Sequence, residues 1–183
     1  MIGLFIGSFN PPTLAHLEIC IKLKKSFNKI VLVPVNSNDK RLIDIKERIN
    51  MLNILKNKYP FLEISGIMKN YSYLNFRIID LLKKEYGDVN IIMGSDLFVK
   101  FSYFDNYEYL LNNYSFTIIT RNQIDINSII NKKYFLYKNK FSIINYYSNI
   151  SSTLVRDKIQ KKEELKSVLD RDVYLYIKAH HLY

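Results

Sequence analysis

The stretch Ile2-Gly3-Leu4-Phe5-Ile6-Gly7-Ser8-Phe9-Asn10-Pro11-Pro12-Thr13-Leu14-Ala15-His16 decides how the rest of the chain is read. Ile2 to Ile6 is a short apolar run stopped at Gly7, the mark of a buried strand. Pro11 and Pro12 forbid both strand and helix interior in the loop that follows. From Leu14 to Lys25 apolar residues recur at helical spacing, with Leu14, Leu17, Cys20 or Ile21, and Leu23 on one face. A strand that turns at a glycine into a helix start can take a phosphate, because unpaired N–H groups and the helix dipole favour an anion there. Thr13 and His16, three apart, lie on one side of the first turn, and both can donate to phosphate oxygens. A capping Thr beside a solvated His satisfies the same spacing. The glycines of a dinucleotide-binding G-x-G-x-x-G are absent, and no G-K-[ST] follows to make a Walker A loop.

Outward from this segment, the same alternation continues. Ile30–Val35, Phe61–Ile64, Val89–Met93 and Ser115–Thr120 read as strands, with Phe135–Tyr137 and Ile143–Asn145 as weaker ones. Helices are expected over Leu14–Lys25, Ile45–Leu55, Tyr73–Tyr86, Tyr107–Leu111, Ser152–Gln160 and Val173–Ala179. Continuous apolar strands between amphipathic helices imply an α/β fold. The expectation is a Rossmann-like parallel sheet with helices on both faces and a small C-terminal helical part. No repeat or low-complexity linker divides residues 1–183, so one domain is expected. Ligands of such folds sit beyond the carboxyl ends of the strands. That directs attention to Gly7–His16, Asn36–Arg41, Gly94–Asp96 and the loop before Ser152.

Composition narrows the function classes. The 183 residues are 48% hydrophobic and 24% charged, which excludes a disordered chain. A single cysteine, Cys20, rules out an intrachain disulfide and a four-cysteine zinc site. It falls on the apolar side of a helix and reads as core. No run approaches the ~18 apolar residues of a membrane span, and Met1 to Phe9 lacks the basic start of a signal peptide. A cytoplasmic protein with no membrane partner is expected. Twenty-seven Lys and Arg against 17 Asp and Glu give a net charge of +10. An anionic partner, nucleic acid or a phosphorylated small molecule, would explain this excess. A Lys-, Asn-, Ile- and Tyr-rich composition from AT-rich coding would explain it equally.

A second segment, Ile150-Ser151-Ser152-Thr153-Leu154-Val155-Arg156, places hydroxyls at a helix start and a cation one turn in. The hydroxyls can cap the helix or bind an anion, and Arg156 could grip phosphate with its planar fork. An ordinary cap with a surface arginine is the competing reading. Gly94-Ser95-Asp96 ends an apolar strand, so Asp96 suits a ribose hydroxyl or a metal-bound water, or else a helix cap. Lys40 and Arg41 sit in the loop after the second strand, where a phosphate contact competes with a solvated charge. Arg48 is helical, with a surface face as its plain reading, and Arg121 directly follows a strand, better placed for ligand than most basic residues here. His16, His180 and His181 have no metal-site spacing, and no carboxylate pair suggests glycosidase chemistry.

Together these segments resemble the nucleotidylyltransferase superfamily with its [HT]-x-G-H signature. Gly7-Ser8-Phe9-Asn10-Pro11 is similar to that family's G-[TS]-F-[DN]-P, Thr13-Leu14-Ala15-His16 to its T-x-G-H, and Ile150 to Arg156 to its I-S-S-T-x-x-R. Within the superfamily the chain most resembles the bacterial nicotinate-nucleotide adenylyltransferases. Lys40 with Arg48, Ser72-Tyr73, Gly94-Ser95-Asp96 through Phe101 and Phe104, Arg121, and the C-terminal Val173 to Tyr183 pattern carry that narrower likeness. Ala15 stands for the signature glycine, where its methyl is expected to approach the nucleotide. Leu74 stands for a Thr, and Phe104 where Trp is frequent, both on the pyridine side.

The resemblance implies transfer of AMP from ATP, with Mg²⁺, to nicotinate mononucleotide. It implies that His16, Thr13 and Arg156 carry the transfer, and that Gly7, Ser8, Phe9, Gly94, Asp96, Ser151 and Ser152 bind ATP. Lys40, Ser72, Tyr73, Phe104 and Arg121 fall to the mononucleotide. Nicotinamide mononucleotide and phosphopantetheine are the alternative acceptors, a cytidylyltransferase is a further alternative, and a basic nucleic-acid-binding module is the rival class. Monomer and homo-oligomer fit the sequence equally.

Overall fold

The computed structural model describes residues 1–36, 40–120 and 124–183. Six strands, β1 (Ile2–Gly7), β2 (Lys29–Pro34), β3 (Leu62–Ile64), β4 (Val89–Gly94), β5 (Ser115–Thr120) and β6 (Phe141–Asn145), form one sheet in the order β3-β2-β1-β4-β5-β6. Every neighbouring pair is parallel. The order reverses direction between β1 and β4, which opens a crevice at their carboxyl ends.

Side chains alternate faces along each strand, and this splits the core in two. Phe5, Ile30, Leu32, Ile92 and Ile119 enter one cluster, with α1 (Leu14–Leu23), α2 (Ile45–Lys58), α7 (Ser152–Gln160) and α8 (Arg171–Ala179) packed over it. Leu4, Ile6, Val31, Val33, Ile91, Met93, Phe116 and Ile118 enter the other. There α3 (Phe76–Tyr86), the short α4 (Ser95–Phe98), α5 (Tyr107–Asn113) and α6 (Ile126–Lys133) cover the sheet. Cys20 lies in the first cluster, 1% exposed, and burial pushes its thiol pKa up. The expected Rossmann-like architecture is the one observed, with α7 and α8 as the C-terminal helical part.

Three local expectations change. Phe135–Tyr137 is not a strand: Phe135–Lys140 winds into a 3-10 helix that leads into β6. The third helix starts at Phe76 rather than Tyr73, because the Asn75 side chain accepts from the Ile78 N–H at 3.2 Å and caps it there. Helix α6 was not anticipated; Asp125 caps it by accepting from the Ser128 N–H at 3.0 Å. Among the described residues, no helix is long and apolar enough to cross a membrane.

Candidate active site

A cleft of about 450 Å³ lies over the carboxyl ends of β1 and β4. Gly7 and Gly94, the last residues of those strands, line it, together with Ser8, Phe9, Asp96, His16, Ser151, Ser152 and Arg156. Two segments roughly 140 residues apart in sequence thus face one space. They are also tied directly. Ser152 Oγ donates to the Pro11 carbonyl at 2.8 Å, and Arg156 Nη1 donates to the Asn10 carbonyl at 2.6 Å. Both α1 and α7 begin beside this cleft, so their positive dipole ends lie near it, although the Leu14 N–H of α1 is taken by the Val168 carbonyl at 3.0 Å. Ser151 caps α7, its Oγ accepting from the Leu154 N–H at 3.1 Å.

His16 is held from behind. Its Nδ1 accepts from the Thr13 backbone N–H at 3.0 Å and lies 2.8 Å from Thr13 Oγ1. An Nδ1 that accepts from an amide carries no proton in the neutral ring, so the pattern assigns the proton to Nε2. Phe9 packs against the imidazole with ring centroids 5.1 Å apart. Thr13 itself is buried and does not line the cleft. The side chain that sequence spacing placed beside His16 on a phosphate stands behind it instead.

Arg156 is buried too, its Nη2 donating to Thr153 Oγ1 at 3.1 Å. His16, Asp96 and Arg156 are the titratable residues among the described lining. A side-chain carbon at Gly94 would meet no protein atom within 4 Å, so the glycine leaves open volume at the end of β4. Ala15, by contrast, is fully buried in the first core cluster, and its methyl is turned away from the cleft it was expected to crowd.

Arg48, read from sequence as a helix surface residue, is wholly buried. Its Nη1 donates to the carbonyls of Ser8 and Val35, both at 2.8 Å. Nε donates to the Ile43 carbonyl at 3.1 Å and Nη2 to Asn36 Oδ1 at 2.7 Å. It therefore clamps the chain just beyond β1 to the chain just beyond β2, under the floor of the cleft. Burial lowers its pKa, which the negative charges of ionised Tyr183 and Asp44 would partly offset. Helical periodicity offered no sign of this role, because its partners are three main-chain carbonyls and one side-chain amide.

The described residues expected on the mononucleotide side, Lys40, Ser72, Tyr73 and Phe104, do not line the same cleft. Lys40 and Ser72 are exposed, Tyr73 is 66% exposed, and Arg121 lies outside the described residues. Phe104 and Leu74 line a small apolar cavity of about 20 Å³. That cavity shares the Ile6 and Leu97 walls with the main cleft.

Residues 4–158 match the cytidylyltransferase-like family. A probable nicotinate-nucleotide adenylyltransferase of Acholeplasma laidlawii is 30% identical over 189 residues, covering 100% of this chain and 97% of the relative. A phosphopantetheine adenylyltransferase of Clostridium perfringens is 32% identical, but over 103 residues that cover 56% of this chain and 58% of the relative. Among solved structures, a Plasmodium falciparum nicotinic acid mononucleotide adenylyltransferase complexed with NaAD shares the fold with a TM-score of 0.81. It is 23% identical, covering 100% of this chain and 96% of that one.

Proposed function

Because the chain belongs to the cytidylyltransferase-like family, and shares its whole length with a nicotinate-nucleotide adenylyltransferase, we propose that it transfers AMP from ATP to nicotinate mononucleotide. The products are the deamido dinucleotide and pyrophosphate. The observation that carries the reading is the convergence of Gly7–His16 and Ser151–Arg156 on one cleft at the sheet's switch point. The acceptor is argued from the reach of the similarity: likeness to the phosphopantetheine enzyme covers little more than half the chain.

An oxygen of the mononucleotide phosphate attacks the α-phosphorus of ATP. The bond from that phosphorus to the oxygen bridging the α- and β-phosphates breaks, and pyrophosphate leaves opposite the attack. A phosphate at neutral pH is already a nucleophile, so no general base is needed. Catalysis is positioning and charge stabilisation, which agrees with a cleft whose described lining offers donors and one carboxylate, Asp96. The His16 Nε2–H donates to the α-phosphate as charge develops, with Thr13 holding the ring. Ser151, Ser152 and Arg156, at the positive end of α7, take the β- and γ-phosphates. Gly7, Ser8 and Phe9 let backbone approach the nucleotide, and Asp96 accepts from a ribose hydroxyl. Lys40, Ser72, Tyr73, Phe104 and Arg121 remain the candidates for the mononucleotide.

Mg²⁺ enters with ATP as part of the substrate, held mainly by phosphates and water. The whole of residues 1–183 acts as one domain in this reading, in the cytoplasm, where the lone buried thiol of Cys20 stays reduced.

The test is the fate of labelled ATP. With nicotinate mononucleotide and Mg²⁺, label at the α-phosphorus should appear in the dinucleotide and label at the γ-phosphorus in pyrophosphate. Release of γ-labelled orthophosphate, or no dinucleotide, would overturn the proposal.

A further inference from the structure

Tyr183 lies 173 positions from Asn10 in sequence, yet its hydroxyl donates to Asn10 Oδ1 at 2.9 Å. Asn10 is 2% exposed and stands at the centre of the loop between β1 and α1. Its Nδ2 donates to the Arg41 carbonyl at 2.9 Å, and its Oδ1 also accepts from the Ile43 N–H at 3.3 Å. Its own carbonyl accepts from Arg156. One residue thus joins the loop before α2 and the C-terminal segment through its side chain, and the arginine of the cleft through its main chain.

We propose that Tyr183 is a positioning residue for adenylyl transfer, acting through Asn10 to fix the loop whose Thr13 holds His16 toward the α-phosphate. The proposal rests on the functional reading above. The physical basis is the shortness of the path. Three residues separate Asn10 from the start of α1, two of them prolines with fixed φ, so a shift at Asn10 is passed on rather than absorbed. The Tyr183 phenol is partly buried, with Arg48 and Arg156 close enough to act on its ionised form. Burial raises its pKa against the pull of those two cations, so the hydroxyl stays protonated and able to donate at neutral pH. Loss of that donor leaves the Asn10 carboxamide held by the Arg41 and Ile43 contacts alone, so the loop, still tied through its main-chain carbonyls, gains room to shift at Asn10. A group aligned for the transition state feels such drift in turnover rather than in ground-state binding.

The experiment is Tyr183→Phe, which keeps the ring and removes one oxygen. The expected result is a kcat lower by about tenfold, with KM for ATP and for the mononucleotide within about twofold of wild type. Amide hydrogen exchange, measured without substrate, should speed up in the segment from Phe9 to Leu17 and stay unchanged in the strands. An unchanged kcat, a loss confined to KM, or exchange accelerated evenly along the chain would overturn it. Wild type runs in the same assay. If wild type makes no dinucleotide, the functional reading fails on its own, and the exchange pattern alone then decides whether Tyr183 fixes the loop.

Discussion

The backbone N–H of Thr13 donates to Nδ1 of His16 at 3.0 Å, across the first turn of α1. The contact caps the helix and fixes the imidazole tautomer at once, leaving the Nε2–H as the ring's donor. Its counterpart is the burial of Thr13, whose hydroxyl sits 2.8 Å from the same nitrogen. His16→Ala should therefore lower kcat by about 100- to 1,000-fold, the usual loss for a transition-state donor. KM for ATP should stay within a few-fold, and stability should fall by about 1 kcal/mol with the lost cap. Steady-state kinetics beside thermal unfolding would check both parts; normal turnover would remove His16 from the mechanism.

Arg48→Met should be costly without any direct contact to substrate. The substitution keeps much of the side chain's length but strands the carbonyls of Ser8 and Val35, which both receive Nη1. Buried acceptors left without donors cost about 1–3 kcal/mol each, so urea unfolding should show a loss of roughly 3 kcal/mol or more. A loss under about 1 kcal/mol would mean that the clamp does not hold the two strand ends together.

Ala15→Gly restores the residue usual in the signature, and is expected to bring no benefit. The Ala15 methyl is buried in the core and lies off the cleft lining. KM for ATP should not change, while stability should drop by about 1 kcal/mol for glycine within a helix. A lower KM for ATP in this variant would show that the methyl does crowd the nucleotide.

Asp170 gives the acid limb of stability a specific origin. Burial pushes its carboxyl up, but hydrogen bonds from the Lys58 ammonium and from the Asp172 and Val173 N–H groups outweigh that and hold it below the ordinary range. A depressed carboxyl stabilises the fold above its unfolded pKa of about 3.9 and loses that contribution as pH falls through the folded value. Asp170→Asn should thus be less stable than wild type at pH 7, and the gap should close as pH falls below about 4. A gap that stays constant down to pH 2 would rule out the Lys58 pairing as its cause.

What the sequence made legible was local. The Ile2–Gly7 strand, the Pro-Pro loop, the α1 start and the Ser151-capped α7 were all readable, because each is punctuated by glycine, proline or a hydroxyl cap whose physics acts within a few residues. The alternation of apolar runs and amphipathic helices gave the parallel sheet for the same reason. Long-range side-chain roles were not readable. Arg48 reaches carbonyls 5, 13 and 40 positions away, and Tyr183 reaches Asn10 from the far end of the chain. Neither has a spacing signature, since the partners are main-chain oxygens or a single amide. Helix α6 could have been found: Asp125 followed by Ile126, Ile129 and Ile130 is a cap before an apolar stripe. The face of Ala15 was not readable: its methyl was expected at the nucleotide, and only the packed core shows that it points inward.

The central claim is adenylyl transfer to a pyridine mononucleotide, and the initial rate of pyrophosphate release tests it most directly. ATP and Mg²⁺ would be offered with nicotinate mononucleotide, nicotinamide mononucleotide or phosphopantetheine, and kcat/KM compared. The account predicts a clear preference for nicotinate mononucleotide, with Leu74 and Phe104 tolerated on the pyridine side. A preference for phosphopantetheine, or no release with any of the three, would contradict it.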